Sequence, residues 1–411
     1  MGAAHLAGTL ASGAAVVATL PSLHTGVLTA ASLTAHACGT DDSTRFAVLV
    51  PAHDEATNIE ATLASLAELT HSPISVVVIA DNCTDNTAEE ARRCGVRVLE
   101  RTDPDRRGKG PALHWAIPRV LADPDVDAIV IVDADTVVEP SLLGRLSWHF
   151  AHGADAVQAD YRVRNPEASW RTRLLDVGFT AQHRVRSGGR SALGMSAGLH
   201  GNGMAFSRAT LEAVPYTAFS VVEDIEYALL LGRSDRRVVA CVAAHVAGDM
   251  PTTREDAGAQ RTRWEAGRTS VTRRHRRAFV RRALRRRDIV AFGHAADLIS
   301  PPLTTTVAAL AASTAVAAVM PSRSLSTAVA LAWAGMIGHV GTSVRRSADP
   351  RASLRALARV PRYALWKLRL ASTKNWSEQR AGLGAWERSV RSDTANRHLR
   401  LIPTDQLEGA C

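Results

Sequence analysis

Cysteine is scarce in this chain of 411 residues, and its spacing excludes several classes of protein. The five cysteines, at positions 38, 83, 94, 241 and 411, include no C-x-x-C pair. This pattern excludes a zinc ribbon and a disulfide scaffold, and it favours a reducing compartment. The chain also has no G-x-x-x-x-G-K-[ST] motif, and no G-x-G-x-x-G follows its first predicted strand. These absences argue against P-loop hydrolysis and against a nicotinamide oxidoreductase.

The first 40 residues contain no Asp, Glu, Lys or Arg, which sets the N-terminal segment apart. A secretory signal would begin with basic residues, so this segment does not fit one. The apolar stretch Leu6–Ala35 is long enough for one membrane helix, which needs about 20 residues. A peripheral or disordered tail is the alternative interpretation.

Two further apolar runs, Leu303–Met320 and Leu325–Val344, lie near the C-terminal end with a short turn between them. This arrangement predicts a helical hairpin across a bilayer. A buried hairpin of a soluble protein remains open, because both runs are rich in alanine. Several arginines follow the second run, and such a cluster usually marks the cytoplasmic end of a span. We therefore expect a membrane-associated protein whose remaining part is cytoplasmic.

Basic residues exceed acidic ones by nine, which predicts an anionic partner. Nine arginines lie between Arg273 and Arg287. They predict either a solvated helix face or a helix that lies on anionic lipid headgroups. A nucleic-acid partner is not expected, because this segment has no interleaved aromatic residues and no known binding motif.

The middle of the chain, from about 45 to 265, reads as strands alternating with helices. Such alternation predicts an α/β fold with a mostly parallel sheet, in which ligands bind beyond the carboxyl ends of the strands. Three predicted strands end in acidic or polar residues, namely Asp54-Glu55, Asp81-Asn82 and Asp133-Ala134-Asp135. Asp133 and Asp135 are one residue apart, and two carboxylates with this spacing can share a hard divalent cation. The cation would in turn hold a diphosphate.

Six motifs occur in one order between residues 45 and 268, and together they resemble glycosyltransferase family 2, the inverting GT-A class. The segments are Val48–Glu55, Ala80–Thr87, Arg107-Gly108-Lys109-Gly110, Asp133-Ala134-Asp135, Val222-Glu223-Asp224 and Gln260-Arg261-Thr262-Arg263-Trp264. The resemblance implies a GT-A sheet with helices on both faces. The segments Trp366-Lys367 and Trp386-Glu387-Arg388 resemble the membrane-associated exopolysaccharide-synthase-like subgroup.

The resemblance also implies how a nucleotide-sugar donor would be held. Glu55 and Asp81 would accept hydrogen bonds from the uridine, with solvent-facing turn acids as the alternative interpretation. Lys109 would approach a phosphate, and Arg263 would pair with the diphosphate in a fork geometry. Asp133 would contact the ribose or the metal. Asp135 would ligate Mg²⁺ or Mn²⁺ directly, or would cap a helix instead.

The same resemblance assigns the chemistry and the acceptor side. Asp224 is the candidate general base, because an inverting transfer needs one carboxylate to take a proton from the acceptor hydroxyl. Glu223 would hold the acceptor or the base, while helix capping is open for both acids. Gln260 and Trp264 share a helix face with Arg263 and would bind the acceptor. Asn202 lies where related synthases carry a small-residue motif of the acceptor pocket.

Two residues depart from the family pattern or extend it. Asp54 stands where relatives often carry Asn, which adds negative charge near the nucleotide. His245 is a candidate third metal ligand, although a polar loop residue has the same sequence signature.

Only 5% of the residues are aromatic, which is few for the stacking platforms of a long polymer tunnel. We therefore expect transfer of one or a few sugars.

The predicted function is transfer of a hexose or N-acetylhexosamine from a UDP-sugar, with UDP-N-acetylglucosamine or UDP-glucose favoured, to a hydroxyl of a saccharide acceptor. Two alternatives stay open: tailoring of a natural product such as an aminoglycoside, and binding of anionic lipid or nucleic acid. The predicted division is an N-terminal apolar segment (1–44), a GT-A domain (45–270), a basic interfacial region (271–300), a hydrophobic hairpin (301–345) and a basic tail (346–411).

Overall fold

An eight-stranded sheet lies at the centre of the computed structural model, which describes residues 2–34, 38–320 and 322–365. Its strands are β1 (Phe46–Ala52), β2 (Ser75–Asp81), β3 (Arg97–Arg101), β4 (Ala128–Ile131), β5 (Thr136–Val138), β6 (Ala156–Val163), β7 (Met204–Ser207) and β8 (Val238–Gly248). Their order in the sheet is β3-β2-β1-β4-β7-β6-β8-β5. The pairs β1–β2, β1–β4, β2–β3 and β6–β8 are parallel, whereas β7 runs antiparallel to β4 and β6, and β5 to β8. The predicted α/β fold with a mostly parallel sheet is confirmed.

Helices cover the sheet and extend beyond it at both ends of the chain. They are α1 (Gly2–Ser32), α2 (Ile59–Ala67), α3 (Thr87–Arg93), α4 (Lys109–Val120), α5 (Leu142–Ala151), α6 (Trp170–Phe179), α7 (Ser187–Ala192), α8 (Arg208–Ala213), α9 (Glu223–Arg233), α10 (Arg254–Arg286), α11 (Ile289–Ile299), α12 (Leu303–Val319), α13 (Arg323–Arg345) and α14 (Pro350–Leu357). A π-helical segment, Thr180–Arg186, connects α6 to α7. Helix α10 runs across the predicted boundary between the catalytic domain and the basic region.

The first strand shows why the central strands are apolar throughout. All seven residues of β1 are buried. Successive side chains of a strand point to opposite faces, so Val48 and Val50 join the core on one side of the sheet while Ala47 and Leu49 join the core on the other. A strand covered on both faces therefore needs a continuous apolar run rather than an alternating one.

In the described part of the chain, two helices are long and apolar enough to cross a membrane, as judged by length and composition: Ala11–Ser32 within α1, and α13. Helix α12 has 17 residues and meets the criterion only together with α11, from which it is bent by 80°. The predicted hairpin thus forms two helices, but only its second run qualifies alone. Trp366-Lys367 and Trp386-Glu387-Arg388 lie outside the described residues.

Candidate active site

The loop after β1 is fixed to the loop after β2 by the carboxylate of Asp54. Asp54 has a positive φ of 56°. Its Oδ1 accepts hydrogen bonds from the backbone N–H groups of Thr84 (2.6 Å) and Asp85 (3.2 Å), and its Oδ2 accepts one from the Thr84 hydroxyl (3.0 Å). Burial alone would raise the pKa of Asp54, but these hydrogen bonds outweigh it and lower the pKa. Aspartate at this position therefore supplies a second acceptor oxygen, Oδ2, which the amide nitrogen of an asparagine would not provide.

Glu55 lies next in the same loop and is partly buried. Its backbone N–H donates to the Thr87 hydroxyl (2.8 Å), and its Oε2 accepts from the Asn58 amide (2.6 Å). The side chain is thus positioned at the N-terminal end of α2, close to where β1 ends. Its predicted contact with the uridine stays a prediction.

Asp81 is the last residue of β2 and is fully buried. The parallel register places Arg101, the last residue of β3, directly beside it. The Arg101 guanidinium pairs with one Asp81 oxygen and also with Asp103 (2.8 Å), while the Asn82 amide donates to the other Asp81 oxygen (3.0 Å). Sequence reasoning did not single out Arg101, because the strand register that brings it beside Asp81 is a feature of the folded sheet and of no sequence motif.

The glycine–lysine turn places the ammonium of Lys109 in an acidic cluster. Gly108 has a φ of 125°, which favours glycine, and a Cβ at Gly110 would lie 2.1 Å from the carbonyl oxygen of Ala218. Both flanking glycines are therefore required for the backbone to take this path. The Lys109 Nζ pairs with Asp133 and donates to the Gly201 carbonyl (2.5 Å).

Three carboxylates, those of Asp133, Glu223 and Asp224, act on Lys109. Burial alone would lower the pKa of Lys109, but these carboxylates outweigh it and raise the pKa. One cation faces three acids here, which leaves the cluster with an excess of negative charge. Such a place favours a divalent cation.

Glu223 and Asp224 begin α9, and the pKa values of both carboxylates are raised. Burial is the main cause, and it raises the pKa of Asp224 to about 6. Burial together with the charge of Asp224 raises the pKa of Glu223. A carboxylate with a raised pKa is a stronger base at neutral pH than an ordinary aspartate. The two side chains can therefore serve acid–base chemistry beside Lys109.

Asn202 connects the acidic cluster to the D-x-D segment. It is fully buried, and its Nδ2 donates to the Thr136 hydroxyl (2.7 Å), while its Oδ1 accepts from the Asp133 N–H (3.2 Å). The neighbouring Gly201 lies so close to Asp224 that a Cβ there would be 3.6 Å from the carboxylate. The side chain of Asn202 thus positions Asp133, and its predicted contact with the acceptor stays a prediction.

Asp135 lies between β4 and β5 and is partly buried. The Thr136 hydroxyl donates to its Oδ1 at 3.4 Å. Asp133 and Asp135 offer the hard oxygen donors that Mg²⁺ and Mn²⁺ prefer, and Asp133 belongs to the negatively charged cluster. The residues present therefore fit a divalent cation at this edge of the sheet.

Gln260, Arg263 and Trp264 lie on α10, which contacts the helix that carries the candidate base. A Cβ at Gly267, one turn beyond Arg263, would lie 2.9 Å from Val222, the residue before Glu223. Arg274 adds an ion pair with Glu226 of α9 (3.8 Å). Gln260 and Arg263 are partly buried, whereas Trp264 is 41% exposed and free to offer its flat face to a ligand.

His245 does not join Asp133 and Asp135 in a three-residue metal cluster among the described residues. It lies on β8, is buried, and pairs with Glu139. Burial would raise the pKa of Glu139, but His245, together with Ser141 and Arg145, outweighs it and lowers the pKa. The geometry gives His245 an ion-pair partner, and a metal-ligand role for it receives no support from these contacts.

Comparison with known proteins identifies a family. The model of "Glycosyltransferase like family 2" matches residues 44–267, which is more than half of the chain. A probable glycosyltransferase, YdaM, of Bacillus subtilis is 25% identical over 232 residues, 54% of this chain and 55% of that protein. The poly-β-1,6-N-acetyl-D-glucosamine synthase of Staphylococcus aureus is 28% identical over 125 residues, 28% of each chain. The chain thus spans about half or less of the length of the curated relatives it matches.

Among solved structures, similarity extends to a mannosyltransferase of Pyrobaculum calidifontis in complex with GDP-mannose and Mn²⁺. It is 20% identical, with 85% of this chain and 98% of that chain covered and a TM-score of 0.48. A glucosyl-3-phosphoglycerate synthase of Mycobacterium tuberculosis in complex with Mn²⁺, UDP and phosphoglyceric acid is 23% identical, with 57% and 84% covered and a TM-score of 0.39.

Proposed function

The chain belongs to the glycosyltransferase-like family 2, and from this membership we propose that it is an inverting, metal-dependent transferase that uses a UDP-sugar. The observation that carries the proposal is the cluster of Lys109, Asp133, Glu223 and Asp224 at one edge of the sheet. It combines a lysine among carboxylates, which suits a divalent cation and the diphosphate that the cation would hold, with a carboxylate of raised pKa. This combination is what sugar transfer to a hydroxyl requires.

In the proposed reaction, Asp224 accepts the proton of the acceptor hydroxyl while the oxygen attacks the anomeric carbon. The bond from that carbon to the UDP oxygen breaks, and UDP leaves with the electron pair. Asp133 and Asp135 would hold Mg²⁺ or Mn²⁺, whose charge offsets that of the departing diphosphate when it is bound. Arg263 would pair with the same diphosphate, and Trp264 would stack on the acceptor sugar.

On the donor side, the proposal assigns the uridine to Glu55 and Asp81. The loop and strand contacts described above hold both side chains in place, which supports a donor site whose carboxylates are positioned before the nucleotide binds. UDP-N-acetylglucosamine and UDP-glucose are the favoured donors. A saccharide hydroxyl is the proposed acceptor, in the synthesis of a polysaccharide or glycoconjugate.

Membrane association is the second part of the proposal. The apolar helices α1 and α13 support it, and so do the exposed arginines toward the end of α10. The catalytic part would face the cytoplasm, where nucleotide sugars are made. Fractionation of cells with an alkaline wash tests this: retention in the membrane pellet supports an integral protein, while full release contradicts it.

The central experiment measures UDP release by the purified full chain from a panel of UDP-sugars, with a GDP-sugar for comparison, in Mn²⁺, Mg²⁺ or EDTA. One preferred UDP-sugar, with release lost in EDTA, is the expected result. Asp135→Ala is expected to remove the metal dependence together with activity, and metal-stimulated turnover in this variant would contradict the D-x-D assignment. Absence of release from every donor, with no UDP binding by calorimetry, would overturn the proposed function.

A further inference from the structure

Three ligands of soft metals meet in the core, outside the proposed transferase site. Cys38 lies in the segment between α1 and β1, His149 lies on α5, and Cys241 lies on β8. Their ligand atoms all lie within 4.8 Å of one another. Cys38 and Cys241 are 203 positions apart in the chain and both are buried. The fold therefore brings together a group of potential metal ligands that the sequence, which has no C-x-x-C pair, did not indicate.

The distances fit a tetrahedral metal centre. The sulfur atoms of Cys38 and Cys241 are 3.4 Å apart. Two thiolates bound to Zn²⁺ at about 2.3 Å in tetrahedral geometry lie roughly 3.8 Å apart, close to this separation. A disulfide needs sulfur atoms about 2.05 Å apart, so the pair is spaced for joint coordination rather than for a covalent bond.

The histidine supplies an independent indication of a ligand. Its Nε2 is buried and has no hydrogen-bond partner in the described part of the chain. Buried polar atoms without a partner are rare in folded proteins, and an ion is one of the ordinary explanations.

We propose that Cys38, His149 and Cys241 bind one thiophilic cation with a filled d shell, Zn²⁺ or Cu⁺. Two sulfurs and one imidazole are the donor set that such ions prefer over Mg²⁺ or Mn²⁺. His149 also lines a cavity of about 190 Å³ with His152, Arg237 and Val239, so one of the three ligands borders a space outside the core. The site is thus distinct in chemistry from the oxygen-donor site at Asp133 and Asp135.

The bound ion would join three parts of the chain. The segment after α1 would be tied to α5 and to β8 through one centre, which fixes the entry of the chain into the sheet. Metal binding that exists only in the folded chain adds to folding stability. The ion would therefore stabilise the fold, and the proposal does not depend on the sugar that the enzyme transfers.

The experiment measures metal content by elemental analysis of the full chain, purified without added metal and washed with a weak chelator. We expect about one equivalent of zinc or copper, and the analysis itself distinguishes these two ions. Cys38→Ser, Cys241→Ser and His149→Ala are expected to lose it, whereas Cys94→Ser keeps it because Cys94 is exposed and outside the group. Metal retained in all three variants would contradict the proposal.

X-ray absorption at the metal edge tests the wild-type chain directly and covers the case in which a variant fails to fold. Two sulfur neighbours at about 2.3 Å and a nitrogen neighbour at about 2.0 Å are the expected shell for zinc. A shell of oxygen donors would overturn the proposal. So would a metal-free chain, including one in which mass spectrometry finds a Cys38–Cys241 disulfide.

Discussion

The carboxylate of Asp224 combines two properties that a general base needs, a place beside the proposed diphosphate site and a raised pKa. The pKa of about 6 means that the side chain is largely ionised at pH 7.5 and protonated at pH 5. Because only the ionised form accepts a proton, kcat/KM should rise with pH through a midpoint near 6. Asp224→Asn should abolish transfer at every pH and leave UDP binding intact, as measured by calorimetry.

The raised pKa of Asp224 also predicts the direction in which Asp224→Asn changes the stability of the protein. The folded-state pKa of Asp224 lies above the ordinary value, so the ionised carboxylate destabilises the native state as pH rises through that range. A neutral amide removes this cost, and the Tm of Asp224→Asn at pH 8 should equal or exceed that of the wild type. Glu212→Gln, an exposed change on α8, serves as the control. A pH-independent rate, or loss of UDP binding in Asp224→Asn, would contradict the assignment.

Arg101 is expected to matter because it neutralises a fully buried carboxylate. Arg101→Met keeps most of the side-chain volume and leaves Asp81 with a buried charge that lacks its cation. Removing one partner of such a pair costs about 3–5 kcal/mol, which would lower the Tm by several degrees. Arg92→Met breaks an exposed pair with Glu100, 53% and 58% exposed, and should cost less than about 1 kcal/mol.

Equal shifts of Tm in Arg101→Met and Arg92→Met would show that Asp81 does not depend on Arg101 in the folded chain. A large shift confined to Arg101→Met, together with weakened UDP binding, would support Asp81 as part of the donor pocket. Scanning calorimetry and UDP titration of the two variants separate these cases.

The packing of α10 on α9 links the Q-x-x-R-W face to the candidate base. Gly267→Val would place methyl groups against Val222, where even a Cβ would lie 2.9 Å from a side-chain carbon. Since Val222 is buried, α10 should move away, and a displacement of about 1 Å can cost on the order of 100-fold in rate. Initial rates of transfer measure this effect, with circular dichroism to confirm the fold.

The matched control is Gly178→Val, on α6, where a new Cβ would meet nothing within 4 Å. Both changes carry the same helix-propensity cost. A rate for Gly267→Val equal to that of Gly178→Val would show that the position of α10 on α9 does not govern the chemistry.

The elements differ in how far their sequence predicts them. Strands β1, β2 and β4 follow from continuous apolar runs. Strand β6 does not, because it buries the polar residues Gln158 and Asp160. Gln158 donates to the distant Asn202 carbonyl (2.7 Å), while Asp160 accepts a hydrogen bond from Arg162 two residues along the same strand (2.7 Å).

The candidate site was also only partly predictable from the sequence. Its acids could be named from motifs, since the carboxyl ends of parallel strands converge. The contacts that position them could not be named, because the burial of Asn202 and the pairing of Asp81 with Arg101 depend on the register of segments distant in the chain. Periodicity and motif order carry no information about such pairings.

Across the whole molecule, the apolar helices and the catalytic part are packed together rather than merely connected. Helix α1 contacts α13 from the other end of the chain, and Thr29 hydrogen-bonds His339 at 2.8 Å. Helix α1 also contacts α7, since a Cβ at Gly189 would lie 1.9 Å from the Leu28 carbonyl oxygen. A fragment that starts near residue 45 would therefore expose surface that α1 covers in the full chain.

The close crossing of α1 and α13 gives a test of this arrangement. A Cβ at Gly26 would lie 2.8 Å from the Cα of Gly335, and a backbone atom cannot move aside without shifting its helix. Gly26→Val should therefore separate the helices at a cost of about 1–3 kcal/mol and lower the Tm in detergent. Gly13→Val lies on the same helix, where a Cβ meets nothing within 4 Å, and should leave the Tm close to that of the wild type. Because α1 also supports α7, UDP release should fall with the Tm in Gly26→Val but not in Gly13→Val. A Tm unchanged in both variants would mean that the catalytic part is stable without this helix pair.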